Sequence, residues 1–117
     1  MINKKKIFIV AGESSGDQHA AEYINMHKKV NSNITFSAIG QREVEKTGAE
    51  IVYNSEDISV VGIVEVVSKY NKIKNALNIA YRHIDERKPD LIILVDYVEF
   101  NLKIAKHAKR NGIKVLF

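Results

Sequence analysis

Lys6-Ile7-Phe8-Ile9-Val10-Ala11-Gly12-Glu13-Ser14-Ser15-Gly16-Asp17 sets how the whole chain is read. Residues 6–11, stopped by Gly12, have the continuous apolar character of a strand buried on both faces. From Ser15 the period changes, and Ala20, Tyr23, Ile24 and His27 recur at helical spacing. A buried strand that passes straight into a helix is the first half of a crossover unit, because parallel strands need a return path that hairpins do not supply.

The same alternation continues outward. Residues 34–39 form a second strand candidate stopped by Gly40, residues 42–47 a short helix closed by Gly48, and residues 50–53 a third, weaker strand. A long helical pattern follows, carried by Val60, Ile63, Val64, Val67, Tyr70, Lys74, Leu77, Tyr81 and Ile84, until Pro89 forbids continuation. Residues 90–95 read as a buried strand and residues 100–110 as a helix with Phe100, Ile104, Ala105 and Ala108 on one arc. Asn111-Gly112 caps it, and residues 113–117 begin another strand. The expected fold is α/β, a Rossmann-like parallel sheet with helices on both faces, formed by one domain over residues 1–117.

Composition bounds the function classes. A chain of 117 residues with 45% hydrophobic and 27% charged content suits one globular domain that buries roughly two-thirds of its unfolded surface. Cysteine is absent, which excludes disulfides and thiolate metal sites. No apolar run approaches the ~20 residues of a membrane span, and residues 7–11 are too short for the core of a secretion signal, so a cytoplasmic location is expected. The formal charge of +4, with Lys4, Lys5 and Lys6 near one end and Lys103, Lys106, Lys109 and Arg110 near the other, favours anionic partners such as phosphates, nucleic acid or an acidic membrane face.

In a parallel sheet, ligands bind beyond the carboxyl ends of the strands. The turns to interrogate are therefore residues 12–17, residues 40–41 and residues 96–101. The first resembles a phosphate cradle in position, but its spacing is Gly-x-x-x-Gly, and Glu13 and Asp17 would repel a pyrophosphate at a helix N-terminus. It also matches Gly-x-Ser-x-Gly, which would make Ser14 a nucleophile with Asp96 and His107 as partners. Only one strand precedes Ser14, however, and His107 falls within a helix. A purely structural account is available too: a serine N-cap, glycines for the turn and for close packing, and Asp17 complementing the helix dipole. Glu13, Ser14, Asp17, Gln41, Asp96, Glu99 and Asn101 together offer carboxylates, amides and hydroxyls suited to a hydroxyl-rich ligand, with Asp96 as a candidate general base.

Five blocks, residues 7–17, Ala38-Ile39-Gly40, residues 61–66, Asp96-Tyr97-Val98-Glu99-Phe100-Asn101-Leu102 and Gly112-Ile113-Lys114, agree in order and spacing with the N-terminal part of lipid-A-disaccharide synthase. The resemblance spans the chain, and its Ala-Gly-Glu-x-Ser-Gly-Asp motif is specific. It implies the N-terminal half of a two-domain glycosyltransferase of the GT-B type, inverting and working without cofactor or metal. Such an enzyme joins UDP-2,3-diacylglucosamine to 2,3-diacylglucosamine 1-phosphate, giving lipid A disaccharide phosphate and UDP. No Asp-x-Asp motif for a diphosphate-bound metal stands in the chain.

Carried over residue by residue, the resemblance makes Asp96 and Glu99 the candidate catalytic acids. It makes Gly12, Glu13, Ser14, Ser15, Gly16, Asp17 and Asn101 the candidate substrate-binding residues. It also marks Val61, Ile63 and Val66 as a candidate membrane or acyl-chain contact, with an address on the inner face of the inner membrane and no nucleic-acid partner. In the family's Asp-x-Pro-Asp-Phe-Asn motif, Val98 replaces the proline and Glu99 the second aspartate. The family continues into a second, nucleotide-sugar domain, so these 117 residues alone are expected to be inactive. The rival reading is a stand-alone Rossmann-like module for a nucleotide or phosphate. Of the histidines, only His19 falls near the candidate site.

Overall fold

A computed structural model describes residues 5–30, 33–56 and 66–117. Strands β1 (Lys5–Ala11), β2 (Ile34–Gly40), β3 (Glu50–Asn54), β4 (Leu91–Val95) and β5 (Lys114–Leu116) form one parallel sheet in the order β3-β2-β1-β4-β5. Helices α1 (Ser14–Val30), α2 (Arg42–Lys46), α3 (Val66–Arg87) and α4 (Val98–Arg110) cover it.

The apolar run of β1 is continuous because the strand is covered twice. Successive side chains of a strand point to opposite faces. Phe8 and Val10 pack with Ala76, Leu77, Ala80 and Ile84 of α3 and Phe100, Ile104 and Ala108 of α4. Ile7, Ile9 and Ala11 pack on the other face with Ala20, Ala21 and Ile24 of α1 and Val44 of α2. Both layers expected from the alternating pattern are present.

Strand order places the site. From β1 the chain steps outward to β3, then returns to lay β4 on the opposite side of β1, so the direction of winding reverses between β1 and β4. A crevice opens beyond the strand ends at such a reversal. Ala11 is paired with Val95, so the two strands end level and the turns that follow them stand side by side.

Element boundaries differ from the sequence reading by one or two residues. β4 starts at Leu91 because Asp90 clasps the start of β1: its Oδ2 accepts the Lys6 N–H at 2.8 Å and its own N–H donates to the Lys6 carbonyl at 2.8 Å. α4 starts at Val98, ahead of Phe100, since the turn before it is already completed by Asp96 and Tyr97. The first part of the long helical pattern, with Val61 and Ile63, lies outside the described residues, and Val66 enters only as the first residue of α3.

Candidate active site at the β1 and β4 turns

The acidic turn after β1 divides into an exposed rim and a buried root. Glu13, Ser14 and Ser15 are exposed where α1 begins, while Gly16 and Asp17 turn inward. Asp17 is only 3% exposed. Its Oδ1 accepts the Gln41 N–H at 2.7 Å and the Val44 N–H at 3.2 Å, and its Oδ2 accepts the Glu43 N–H at 2.9 Å. The first amides of a helix lack partners within that helix. Gln41, at the cap position of α2, makes no side-chain cap bond, so α2 is capped from across the cleft by Asp17. Asp17 stands in the first turn of α1, as a complement to that helix's dipole would, and takes on a second structural role at α2. Its acceptors hold the β2–α2 turn in place.

The turn after β4 is strained. Asp96 and Tyr97 both have left-handed backbone, with φ of 48° and 60°. For a bulky residue such as tyrosine this conformation is rare, and each such residue costs about 1–3 kcal/mol unless its surroundings enforce it. Three contacts do so. The Asn101 side-chain amide donates to the Asp96 carbonyl, and the Tyr97 ring stacks on Phe100 with centroids 5.5 Å apart. The Tyr97 ring also lies across Gly12 so closely that a methyl group there would sit 1.9 Å from its Cδ2. Gly12 is therefore required by close approach; it is not among the glycines with positive φ.

Both turns meet. A methyl group on Gly16 would lie 3.5 Å from Asp96 Oδ2 and 3.2 Å from Val95 Cγ1, so the Asp96 carboxylate stands against the first turn of α1. The Tyr97 phenol is held above its ordinary value, first by burial and then by the Glu13 and Glu99 carboxylates, which places one acid from each turn within electrostatic reach of the same hydroxyl. An open cleft of about 550 Å³ lies on the other side of the acidic turn, between α1 and α2, lined by Ser14, Ser15, Asp17, Gln18, Gln41, Arg42, Glu43 and Glu56; Asp96, Glu99 and Asn101 are not part of its lining. Asn101 is 2% exposed, and its Oδ1 is a buried oxygen with no hydrogen-bond partner among the described residues.

With the geometry in place, comparison with known proteins is decisive. The family model for lipid-A-disaccharide synthetase matches residues 7–117. The chain belongs to that family. Its relatives include lipid-A-disaccharide synthases from Nitrosococcus oceani, 47% identical over 95% of this chain, and Geobacter metallireducens, 40% identical over 97%. Lipid-A-disaccharide synthase 1 of Legionella pneumophila is 37% identical over the whole chain. The chain spans 29% of the length of the first two relatives and 31% of the third.

Solved structures agree on the fold. The C-terminal domain of the PF1911 hydrogenase from Pyrococcus furiosus superposes with a TM-score of 0.69 at 13% identity, covering 99% of this chain and 94% of that one. Acinetobacter baumannii MurG superposes with a TM-score of 0.59 at 15% identity, covering 96% of this chain and 33% of that one.

The residues set above against the Asp-x-Pro-Asp-Phe-Asn block, 96–101, form this β4–α4 turn. Val98, in the place of the proline, is the first residue of α4 and 68% exposed. A first helical residue needs no backbone N–H partner, so either side chain is accommodated there. Glu99, in the place of the second aspartate, is exposed in the first turn, where a carboxylate also complements the helix dipole.

Rival chemistries find less support. The Tyr97 ring fills the space beside Gly12. His107 lies nine residues beyond Val98, about 14 Å along the helix, with its Nε2 2.7 Å from Asp85 Oδ1 and its ring stacked on Tyr81. It is engaged away from Ser14 and Asp96. His19 is exposed on α1.

Tyr97 and Ser55 escaped the sequence reading. Ser55 is fully buried and donates to the Ala11 carbonyl at 2.8 Å, fastening the end of β3 to the end of β1. Nothing in local pattern marks it. Tyr97 had a signal, since it stands between two quoted motif residues, but its importance lies in a ring contact with a residue 85 positions earlier (97 − 12).

Proposed function

We propose that this segment is the acceptor-side domain of an inverting glycosyltransferase that joins UDP-2,3-diacylglucosamine to 2,3-diacylglucosamine 1-phosphate. A second domain in the same enzyme would hold most of the nucleotide sugar. Family membership supports the reading, and the observation that carries it is the Asp96 carboxylate standing against the first turn of α1, beside the acidic turn.

Asp96 is the general base. Its carboxylate takes the proton of the acceptor's primary hydroxyl as that oxygen attacks the anomeric carbon. The bond from that carbon to the diphosphate oxygen breaks, and its electron pair leaves with UDP, inverting the configuration. Base catalysis of this kind contributes about 10²- to 10⁴-fold. Glu13, Ser14, Ser15 and Glu99 bind sugar hydroxyls from the exposed rim, with Asn101 beneath. Gly12, Gly16 and Asp17 shape the floor.

The enzyme works on the inner face of the inner membrane. Support comes from the diacyl substrates of the proposed reaction and from Lys103, Lys106, Lys109 and Arg110 on α4, each residue worth about 1 kcal/mol beside an anionic surface. Among the described residues no helix is long and apolar enough to cross a membrane. Val61, Ile63 and Val66 are the proposed acyl-chain contact, on their sequence pattern alone.

The test is transfer by the full-length gene product, supplied with both diacyl sugars and followed by chromatography of the disaccharide. The expected result is disaccharide formation that Asp96→Asn slows by about 10²- to 10⁴-fold without lowering the unfolding temperature. Undiminished turnover by Asp96→Asn would reject the assignment.

A further inference from the structure

Tyr97 belongs to none of the roles assigned above, yet it occupies the junction between the two turns. Its ring fills the place of a side chain at Gly12 and stacks on Phe100, and its own backbone is left-handed at φ 60° and ψ 64°. Asp96, immediately before it, shares the left-handed conformation. A chain relieved of constraint would leave that region at both residues, and the Asp96 carboxylate would swing away from Gly16.

We infer that Tyr97 is a positioning residue for transfer: its ring, seated on Gly12, holds the Asp96 backbone in the left-handed conformation that aims the carboxylate at the acceptor hydroxyl. Gly12 is the matching half of the device. Its lack of a side chain admits the ring, which joins the turn after β1 to the turn after β4 at the reversal point of the sheet. The Asn101 amide on the Asp96 carbonyl is a second restraint on the same peptide. The inference rests on the reading of Asp96 as the base.

The contact predicts an unusual pattern of coupling. Tyr97→Ala removes the ring and Gly12→Ala expels it, so both break one interaction and their effects will not add. A misplacement of the base on the order of 1 Å costs roughly a hundredfold in rate. The expected signature of Tyr97→Ala is a fall in kcat with little change in KM for either substrate, because the exposed substrate-binding rim is not displaced. Tyr97→Phe keeps the ring and is expected to retain turnover.

The experiment measures kcat and KM for Tyr97→Phe, Tyr97→Ala, Gly12→Ala, the Gly12→Ala/Tyr97→Ala double variant and Asp96→Asn in the full-length gene product. Support is a kcat loss of roughly a hundredfold in Tyr97→Ala, no further loss in the double variant, and near-normal turnover in Tyr97→Phe. Should Tyr97→Ala not fold, Tyr97→Leu carries the same expectation, since it fills volume without a flat ring. Full kcat in the ring-less variant while Asp96→Asn is slowed overturns the positioning role and leaves the base assignment standing. Multiplicative losses in the double variant overturn it as well. Undiminished turnover in Asp96→Asn overturns the base assignment and the positioning role together.

Discussion

The Asp17 carboxylate accepts the Gln41 N–H at 2.7 Å across 24 positions of sequence, and in doing so one helix's first turn caps the start of another. The motif aspartate expected to bind substrate thus also holds the β2–α2 turn, from a place in the cleft wall.

Replacing it will therefore act on stability before it acts on binding. Asp17→Ala leaves the Gln41, Glu43 and Val44 amides without their acceptor. A buried donor deprived of its partner costs about 1–3 kcal/mol, so the variant's urea midpoint is expected to fall by the equivalent of at least about 2 kcal/mol. Asp17→Asn, which keeps one oxygen, will lose less. Equal midpoints for the two variants would show that the carboxylate does not hold the turn.

Gly40 is expected to resist enlargement for a related reason. A methyl group there would lie 3.0 Å from Val44 Cβ and 3.3 Å from the bonded oxygen of Asp17, so neither neighbour is free to yield. Gly40→Ala should destabilise by about 1–3 kcal/mol, the usual cost of overpacking, readable as a lower unfolding temperature. An unchanged temperature would mean that α2 moves freely against β2.

At the opposite end of the sheet, His83 ties stability to pH. It is 8% exposed, its Nε2 lies 2.8 Å from Ser37 Oγ, and its ring meets Phe8 at 4.7 Å. Burial is the main cause that holds it below the ordinary histidine value of 6.5; Glu50 and Glu86 push the other way, and Arg87 reinforces the burial. Lys6 also faces this pocket, and Arg87 is paired with Glu50 at 3.3 Å. The folded state thus binds fewer protons than the unfolded one. Its stability is complete above pH 6.5 and falls as pH drops below that value, by up to about 1.4 kcal/mol per pH unit, until the folded value is reached. In urea titrations, His83→Gln should flatten this slope. A variant that keeps the parent's pH dependence would assign it to another group.

The two candidate acids should separate kinetically. Asp96 is aimed at Gly16 by a strained turn, while Glu99 is an exposed residue of the first turn of α4. Asp96→Asn is expected to lower kcat by about 10²- to 10⁴-fold, and Glu99→Gln to act mainly on KM. The reverse ranking in steady-state kinetics would move the base to Glu99.

Much of this was legible in the chain. The double burial of β1, the alternation of strands with helices and the stop at Pro89 follow from residue type and period, since burial on two faces demands an unbroken apolar run. The acids of the candidate site were also visible, because carboxylates beyond buried strand ends stand out against their neighbours. The caps were not. Asp17 on α2, Ser55 on Ala11 and the Tyr97 ring on Gly12 each join residues far apart in sequence, and local pattern carries no record of such pairings.

What the sequence determined by itself was therefore the class of fold, the family and the kinds of atom available for chemistry, since these depend on composition, period and motif spacing. Only the tertiary structure decided that Asp17 is spent on backbone amides while Asp96 stays exposed where the β1 and β4 turns meet. That division follows from strand order: laying β4 beside β1 brings Asp96 against Gly16 and Tyr97 onto Gly12, while α1 turns Asp17 toward the first amides of α2.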